Sequence, residues 1–339
     1  LSNHLISTPN DTAKLTSISD RTEQFYFVVN SDGTMGIFTS QRSEKIAGWM
    51  QWNTDGEYIS VACTTNGIYT AVKRTINGSD YYSLEQQAST SFDVPTDYTV
   101  TKTISGSYQP HGTPKVNGAI SSTSTMIVDG FTNAPSQGET FQFGGTGTTY
   151  TIQSVNATGN SGEYTVVINA AVSQADNTAL QFVTSKVFSG LTTHVGKKVF
   201  ATAGSTEGGA IYYYGNGTVD GSGNVTIGTP TTACDLGLDY SITLETLPID
   251  ATIQGGQLTG LPRKIGKSVI ELSSTYNIQI NTNDVILTET TLNTSSGLTS
   301  FTGKKEVYTL GYSLEPNLTI SQSAPLPVRI LGITSEIYY

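Results

Sequence analysis

Two pairs of carboxylates stand close together in the sequence and suggest glycoside hydrolysis. Asp55 is followed by Gly56 and Glu57, and Asp93 is followed four residues later by Asp97. Cleavage of a glycosidic bond needs two carboxyl groups roughly 5–10 Å apart, one donating a proton and the other acting as base or nucleophile. An Asp-Gly dipeptide between strand-like runs is, however, typical of a tight turn. We therefore expect Asp55 and Gly56 to form a turn, and sugar cleavage is the alternative.

Aromatic residues beside the first carboxylate pair could stack on sugar rings. Trp49, Trp52 and Tyr58 flank Asp55. Large rings contribute much apolar area, so the two tryptophans at this strand start are expected to fill the core. In that case Trp49→Ala should cost about 3–5 kcal/mol of stability, the usual range for a buried Trp.

Adjacent basic residues offer a second kind of chemistry, the binding of anions or acidic protein surfaces. The default expectation for each pair is a solvated strand end, and contact with an acidic neighbouring subunit is the alternative. The pairs are Lys73-Arg74, Arg263-Lys264 and Lys304-Lys305.

Two loops resemble ligand-binding motifs but lack the spacing that the chemistry requires. In residues 260–268, five residues rather than four separate the two glycines, and a strand-like run follows where a phosphate-binding loop needs a helix. Asp220 opens a Gly-rich loop, but Thr231 stands where a calcium loop has its closing glutamate. Both loops, and the Asn-Ser-Asp-Gly of residues 30–33, are expected to be turns.

Histidine and cysteine give no metal-ligand spacing. Cys63 and Cys234 lie far apart; a buried free thiol is expected for Cys63, and a disulfide between the two is the alternative. No Gly-x-Ser-x-Gly elbow marks a nucleophile, although a catalytic triad can assemble from residues that are distant in the chain. We predict no cofactor and no metal. The histidines are expected to be structural, and they are His4, His111 and His194.

Composition favours a nearly all-β chain. Only 13% of the 339 residues are charged, about half the usual ~25%, and Thr, Val, Ile and Tyr are plentiful. The net charge of −10 argues against wrapping DNA or binding an anionic membrane. No run of 18 apolar residues indicates a membrane span.

Strand-like runs and turn signals divide the chain into three parts. Residues 1–108 read as an antiparallel meander, part of a propeller-like or barrel-like body. Residues 109–186 are poor in charge and are expected to form an inserted small β-sandwich domain. Residues 187–339 resume the body, with 267–272 and 276–280 expected to pair as a hairpin.

Several short segments of the chain match one protein family in residue type and order. They are 30–38, 42–49, 54–58, 60–61, 72–78, 188–191, 194–199, 236–240, 244–248 and 325–331, together with Trp52. In these segments the chain resembles the nozzle protein, or tail tubular protein B, of short-tailed phages. The resemblance covers the first and third parts, chiefly the C-terminal portion of the family, and the usual family members are longer. This chain, which begins at Leu1, is therefore expected to be a fragment or a shortened variant.

The resemblance implies a structural virion protein rather than an enzyme. Six copies would form a ring at the distal end of the tail tube, conduct and gate DNA during ejection without binding it specifically, and support fibre attachment. The implied partners are the tail adaptor, the fibre proteins and the host envelope surface, and the implied location is the virion, after synthesis in the host cytoplasm. The positions that we expect to serve structure or assembly are Trp49, Trp52, Asp55, Gly56, Lys73 and Arg74.

The alternative is a carbohydrate-binding or polysaccharide-cleaving tail protein or adhesin. In that interpretation the 109–186 insertion would face the sugar.

Overall fold

The computed structural model describes most of the chain. The described residues are 5–16, 24–41, 43, 45–65, 67–87, 97–204, 211–248, 252–253, 256–257, 260–281, 283–287, 297–309, 311–322 and 324–339. Within them there is no α-helix, and helical structure is confined to short 3-10 turns such as Thr192–His194. The expectation of an all-β chain is confirmed. The Asn66 turn residue and residues 42 and 44 of the resemblance lie outside the described ranges.

The first strands follow one another as an antiparallel meander, as expected. The first four form one sheet in chain order, and the next three form a second sheet in chain order. These strands are β1 (Pro9–Leu15), β2 (Gln24–Asn30), β3 (Met35–Gln41), β4 (Ile46–Trp52), β5 (Glu57–Thr64), β6 (Gly67–Ile76) and β7 (Ser79–Gln86).

Alternating side chains from both sheets build one core. Because successive strand residues point to opposite faces, every second apolar residue is buried. Phe27 and Val29 on β2 and Met35 and Ile37 on β3 face Val72 of β6 in this way. The same alternation fixes which residues of β4, β6 and β7 are left to the outside.

The 109–186 segment has a core of its own, but its strands form one curled sheet rather than two facing sheets. The order is β17-β14-β11-β12-β13-β10-β9. A bridge between Lys115 and Ala179 brings β9 back to the start of β14, so the sheet curls nearly into a barrel. The strands of this sheet are β9 (Gly112–Val116), β10 (Ile120–Phe131), β11 (Thr140–Phe143), β12 (Thr149–Ala157), β13 (Tyr164–Gln174) and β14 (Leu180–Phe188), with β17 (Val225–Thr231) added from later in the chain. β8 (Asp97–Thr103) precedes the segment and lies in a different sheet.

The entry and exit of this segment are held side by side. The Gln109 side chain accepts a hydrogen bond from the Phe182 amide (2.8 Å) and donates one to the Phe182 carbonyl (3.3 Å). One amide side chain thus binds the backbone of β14 as a neighbouring strand would.

The remaining strands form small sheets. Their orders are β16-β15-β18-β8, β19-β26-β23-β24, β20-β21 and β25-β22-β27. The strands are β15 (Lys198–Ala203), β16 (Tyr212–Thr218), β18 (Ala233–Leu238), β19 (Thr243–Glu245), β20 (Thr252–Ile253), β21 (Gly256–Gln257), β22 (Lys264–Thr275), β23 (Gln279–Ile280), β24 (Asn283–Asp284), β25 (Phe301–Tyr308), β26 (Thr319–Ser321) and β27 (Ile330–Tyr338).

The expected hairpin of residues 267–272 with 276–280 is wrong. β22 pairs with β25 and β27, and β23 pairs with β24 and β26. Ile270 and Leu272 of β22 are completely buried in a core with Ile278 and Ile280. The short sequence separation suggested a hairpin, but the two segments meet through their side chains instead of their backbones.

The chain separates into two compact units. The first comprises residues 1–91, 189–198 and 218–225, and the second comprises 92–188, 199–217 and 226–339. The segment 109–186 belongs to the second unit although its apolar core is its own. The boundaries of the two compact units therefore differ from those of the three parts described from the sequence.

Candidate functional site

Arg74 lies inside the first unit. Its guanidinium donates to both carboxylate oxygens of Glu85, at 3.1 and 2.8 Å, and to the Asp55 carbonyl at 2.7 Å. Arg74 is 2% exposed because it shares the core-facing side of β6 with Val72. The expected solvated strand end is therefore wrong for Arg74, which binds the 53–56 turn to the second sheet.

Gly56 fits closely under the backbone of β6. Its φ is +146°, and a Cβ at this position would lie 2.3 Å from the carbonyl oxygen of Lys73. Both the conformation and the contact require a residue without a side chain. The expected turn at Asp55 and Gly56 is present, and it is fixed by the strand beneath it.

Two lysines neutralise the carboxylates around this turn. Lys197 Nζ lies 2.8 Å from Asp55 Oδ1. Lys73 Nζ lies 3.2 Å from Asp80 and 3.9 Å from Glu57. The hydrogen bond to Asp80, followed by the charges of Asp80 and Glu57, raises the pKa of Lys73. Each carboxylate of the proposed glycosidase pair thus already faces an ammonium group.

Four of the six expected structural positions therefore meet in one network. Asp55, Gly56, Lys73 and Arg74 connect the turn to β6 and β7. Among the alternative catalytic residues, Asp93 lies outside the described ranges, and Asp97 begins β8 in the second unit.

The two tryptophans lie on opposite faces of β4. Trp52 packs against Phe27 of the core, with ring centres 6.1 Å apart. Trp49 points to the outer face and packs on Phe38, with ring centres 5.1 Å apart. Burial in the core was expected for both; Trp52 borders the core, whereas for Trp49 the expectation is wrong, because residues three apart in a strand lie on opposite faces.

An aromatic row crosses the outer face of the first sheet. Tyr26 is directly opposite Phe38, and Phe38 is directly opposite Trp49. The Tyr26 and Phe38 rings are 6.2 Å apart, and Lys14 Nζ lies 5.2 Å from the centre of the Tyr26 ring. We call Tyr26, Phe38 and Trp49 the outer aromatic row. Single-strand patterns cannot reveal it, because it depends on the register of three strands.

A second polar cluster, absent from the sequence analysis as a cluster, is completely buried. His111, Glu139 and Ser185 are each 0% exposed. Ser185 Oγ lies 2.9 Å from His111 Nε2 and 3.1 Å from Glu139 Oε1, and His111 Nε2 lies 3.1 Å from Glu139 Oε2. These three residue types suggest acyl transfer, so their geometry decides whether the cluster is a triad.

The connectivity differs from that of a catalytic triad. In a triad the carboxylate and the serine bind opposite ring nitrogens, whereas here both meet Nε2. Nδ1 instead donates to the Asn133 carbonyl at 3.0 Å, since a carbonyl can only accept. The carboxylate therefore does not orient the ring for attack by Ser185.

Glu139 serves instead as an internal connector. Its oxygens accept from the amides of Ser136 (2.8 Å) and Lys186 (2.6 Å) as well as from Ser185. The buried carboxylate thus joins the start, the middle and the end of the 109–186 segment. The three residues of the cluster, His111, Glu139 and Ser185, lie far apart in the chain, so no sequence spacing could have indicated the cluster.

The remaining sequence motifs have structural environments. Asp220 accepts from the amides of Ser222 and Asn224, each at 2.9 Å, which with further bonds holds its pKa below the usual range. The Asp220 loop is a turn, as expected.

The chain also turns at residues 260–261, but Arg263 already bridges to Ser313 and residues 264–268 belong to β22, so the basic turn expected over 260–268 is confined to its first residues. Arg263 is buried and donates to the Leu314 carbonyl at 2.6 Å, so the solvated strand end expected for it is wrong.

Histidine and cysteine offer no metal centre within the described part of the chain. No group of three or more His, Cys, Asp or Glu side chains there could hold a metal ion. His194 is buried beside Thr193, with Thr193 Oγ1 at 3.1 Å from Nδ1, and His4 lies outside the described ranges. Cys63 and Cys234 are free thiols, and burial raises the pKa of Cys234 to about 12.

Comparison with known proteins leaves the family open. No helix in the described residues has the length and apolar character needed to cross a membrane. No family model matches the chain, and a search of curated proteins finds no significant match.

Proposed function

We propose that this chain is a structural protein of a phage tail, forming a ring at the distal end of the tail tube that conducts and gates DNA and supports fibres. The observation that carries the proposal is the disposition of charge. The chain has a net charge of −10, and lysines of the first unit are held by carboxylates. Such a surface repels phosphate, so DNA can pass it without being retained.

The network around the 53–56 turn supports a mechanical role. Arg74 donates to the Asp55 carbonyl and Gly56 lies against the Lys73 carbonyl, so the turn is attached to β6. Rigid hairpins suit a subunit that must keep its shape under load. The resemblance to tail nozzle proteins supplies the particular assembly, which the proposal adopts.

Electron microscopy of the purified full chain tests the assembly. The expected result is a ring with a central pore. Because assembly follows mass action, the absence of rings at concentrations on the order of 10–100 µM, with only monomers or dimers present, would contradict the proposal.

Retention of duplex DNA tests the charge argument separately. The wild-type protein should not retain DNA at about 50 mM salt, where non-specific binding is strong. A variant carrying Asp55→Asn and Asp80→Asn removes the carboxylate partner of Lys197 and the nearer of the two partners of Lys73, and it should bind DNA measurably better. Tight DNA binding by the wild type would refute the passage role, whatever its oligomeric state.

Carbohydrate binding is the second candidate, and the outer aromatic row favours it. Aromatic faces stack on the C–H faces of sugars, and Tyr26 is 37% exposed beside the half-buried Phe38 and Trp49. Trp49→Ala should then abolish binding of a host polysaccharide, measured by calorimetry, while the melting temperature changes little. Tyr82→Ala, which removes an exposed ring elsewhere, is the matched control. No binding by the wild type to polysaccharides of the host envelope would exclude this candidate.

A further inference from the structure

Strand β7 is an unusually unprotected sheet edge. It is the outer strand of the β5-β6-β7 sheet, and its eight pairs with β6 run without a register shift. Sheet edges are normally protected by Pro, Lys or a bulge. β7 has no Pro, Lys or bulge, and its charges are those of Asp80 and of the inward-pointing Glu85, which Arg74 neutralises. In contrast, β1 carries Pro9, Lys14 and a register shift.

Two of the exposed side chains of β7 are large and apolar. Tyr82 is 65% exposed and Leu84 is 78% exposed, and both lie on the outer face. β4, another long edge strand without Pro, Lys, Arg or a register shift in its pairing, has Met50 only 38% exposed. Within the residues that the structure describes, β7 therefore combines an outer side that pairs with no further strand with the larger exposed apolar side chains.

The hydrogen-bonding pattern shows which backbone groups are free. A two-residue turn at Asn77 and Gly78, both with positive φ, makes Ile76 and Ser79 a hydrogen-bonded pair. The Gln87 amide donates to the Ile68 carbonyl at 2.9 Å, as expected if every second pair along β6 and β7, counted from Ile76 and Ser79, is hydrogen-bonded. Alternation then directs the amides and carbonyls of every second residue away from β6. The outward residues are Asp80, Tyr82, Leu84 and Gln86.

We propose that β7 pairs antiparallel with β7 of a second copy of this chain, about a twofold axis at Ser83. Only this centre pairs all four outward positions, Asp80 with Gln86 and Tyr82 with Leu84, giving about eight backbone hydrogen bonds. A shift of the centre by one residue loses at least one of these pairs.

The charges of the strand suit this register. Asp80 would face the neutral Gln86 of the other copy, and Glu85 would face Tyr81, so no like charges are opposed. Tyr82 would cover Leu84 on both sides of the axis. A self-complementary strand of this kind identifies a second copy, rather than an unrelated peptide, as the occupant.

The inference rests on β7 alone and does not depend on the proposed tail function. A twofold contact pairs two copies and does not close a ring, which would need a different surface. One strand pair is a small interface, so we expect a dissociation constant on the order of micromolar.

Charge substitutions at one exposed position test the register. Gln86→Asp places a carboxylate opposite Asp80 twice in each dimer and should raise the dissociation constant about fivefold, whereas Gln86→Lys should lower it by a similar factor. Mass by light scattering across a concentration series measures both. Equal dissociation constants for the two variants, or a wild type that stays monomeric up to hundreds of micromolar, overturn the proposal. Gln86→Asp should leave any rings intact, which separates this test from that of the proposed function.

Cross-linking tests the axis independently. In a Cys63→Ser background, Ser83→Cys brings two thiols together at the axis and should form a disulfide-linked dimer under mild oxidation. Ser79→Cys, at the far end of the strand, is the matched control and should not. Cross-linking of both variants at equal rates would mean random collision and would overturn the proposed register.

Discussion

Arg74 and Glu85 are joined by two hydrogen bonds, from Nε to Oε1 at 3.1 Å and from Nη2 to Oε2 at 2.8 Å, and Arg74 is 2% exposed. Glu85 lies on β7, so the pair connects the edge strand to the strand beside it. The third bond of the guanidinium, to the Asp55 carbonyl, extends the connection to the turn before β5. Stability of the edge therefore depends on a charge that has little contact with water.

Removing one partner of this pair should be costly. Glu85→Ala leaves the Arg74 charge buried without its carboxylate, and we expect a loss of about 3 kcal/mol in the free energy of unfolding. Asp80→Asn removes an exposed partner of Lys73 and should change stability by about 0.5 kcal/mol or less. Urea unfolding followed by circular dichroism compares the two. Similar losses for both would show that the burial of Arg74 has no energetic consequence.

Gly56 should tolerate no side chain. Gly56→Ala places a Cβ against the Lys73 carbonyl in an unfavourable backbone conformation, and we expect a loss of about 3 kcal/mol. Gly78 has φ +78°, but no atom lies within 4 Å of the place that a Cβ would take, so Gly78→Ala should cost only about 1 kcal/mol. Thermal melts of both variants decide the matter. A smaller loss at Gly56 than at Gly78 would contradict the close fit under β6.

The buried carboxylate of Glu139 should stabilise the second unit. Glu139→Ala leaves the Ser136 and Lys186 amides without their acceptor in a buried cluster, and we expect a loss of about 3–5 kcal/mol. Glu315→Ala, at an exposed position, should stay within about 0.5 kcal/mol of the wild type. Urea unfolding measures both changes.

Ser185 provides a separate check on the same cluster. A sealed serine should not react with a fluorophosphonate in the native protein. Labelling of Ser185 that disappears in His111→Ala would make the cluster a hydrolase site instead of a connector.

Stability should fall on the alkaline side. Burial is the main cause that raises the pKa of both Cys234 and Tyr240 to about 12, so both stay neutral in the folded chain. Unfolded Cys and Tyr ionise near pH ~8.5 and ~10, so the unfolded state loses protons first and gains stability relative to the folded one. The contribution is complete below pH ~8.5 and is lost as the pH rises towards 12, at about 1.4 kcal/mol per pH unit for each group.

Unfolding in urea between pH 8 and 11 measures this decline. Cys234→Ala should make it shallower, beginning nearer pH ~10. Native Cys234 should also resist thiol reagents at pH 8 and react after unfolding. An unchanged pH dependence in the variant would show that the thiol ionises freely in the folded chain.

Sequence reasoning predicted strands and turns well where the signal is local. The Asn-Gly at 77–78 and the Asp-Gly at 55–56 form turns because tight turns require positive φ angles, which Gly and Asn tolerate. It failed where the answer depends on which face of a strand is buried. The alternation of side chains along a strand shows that Trp49 and Trp52 point to opposite faces of β4. Only the packing of the two sheets shows which of them faces Phe27.

The candidate site was predictable only in part. Asp55, Gly56, Lys73 and Arg74 were selected from the sequence, yet the Glu85 and Lys197 partners that hold them come from later strands and loops. The His111–Glu139–Ser185 cluster was inaccessible for the same reason. Long-range side-chain contacts follow from topology, and a single sequence does not specify that topology by spacing.

The two hydrogen bonds between the Gln109 side chain and the Phe182 backbone hold the ends of the intervening segment together, so that this segment can be replaced as a unit. Because its two ends are one side chain apart, its length and content can change without displacing either flank. Among the described strands of this sheet, β14 also pairs with β17, which comes from later in the chain. Insertions or replacements in this segment would change the surface that it exposes and leave the flanking strands in register. A protein can acquire a new surface in this way without a change in the rest of its fold.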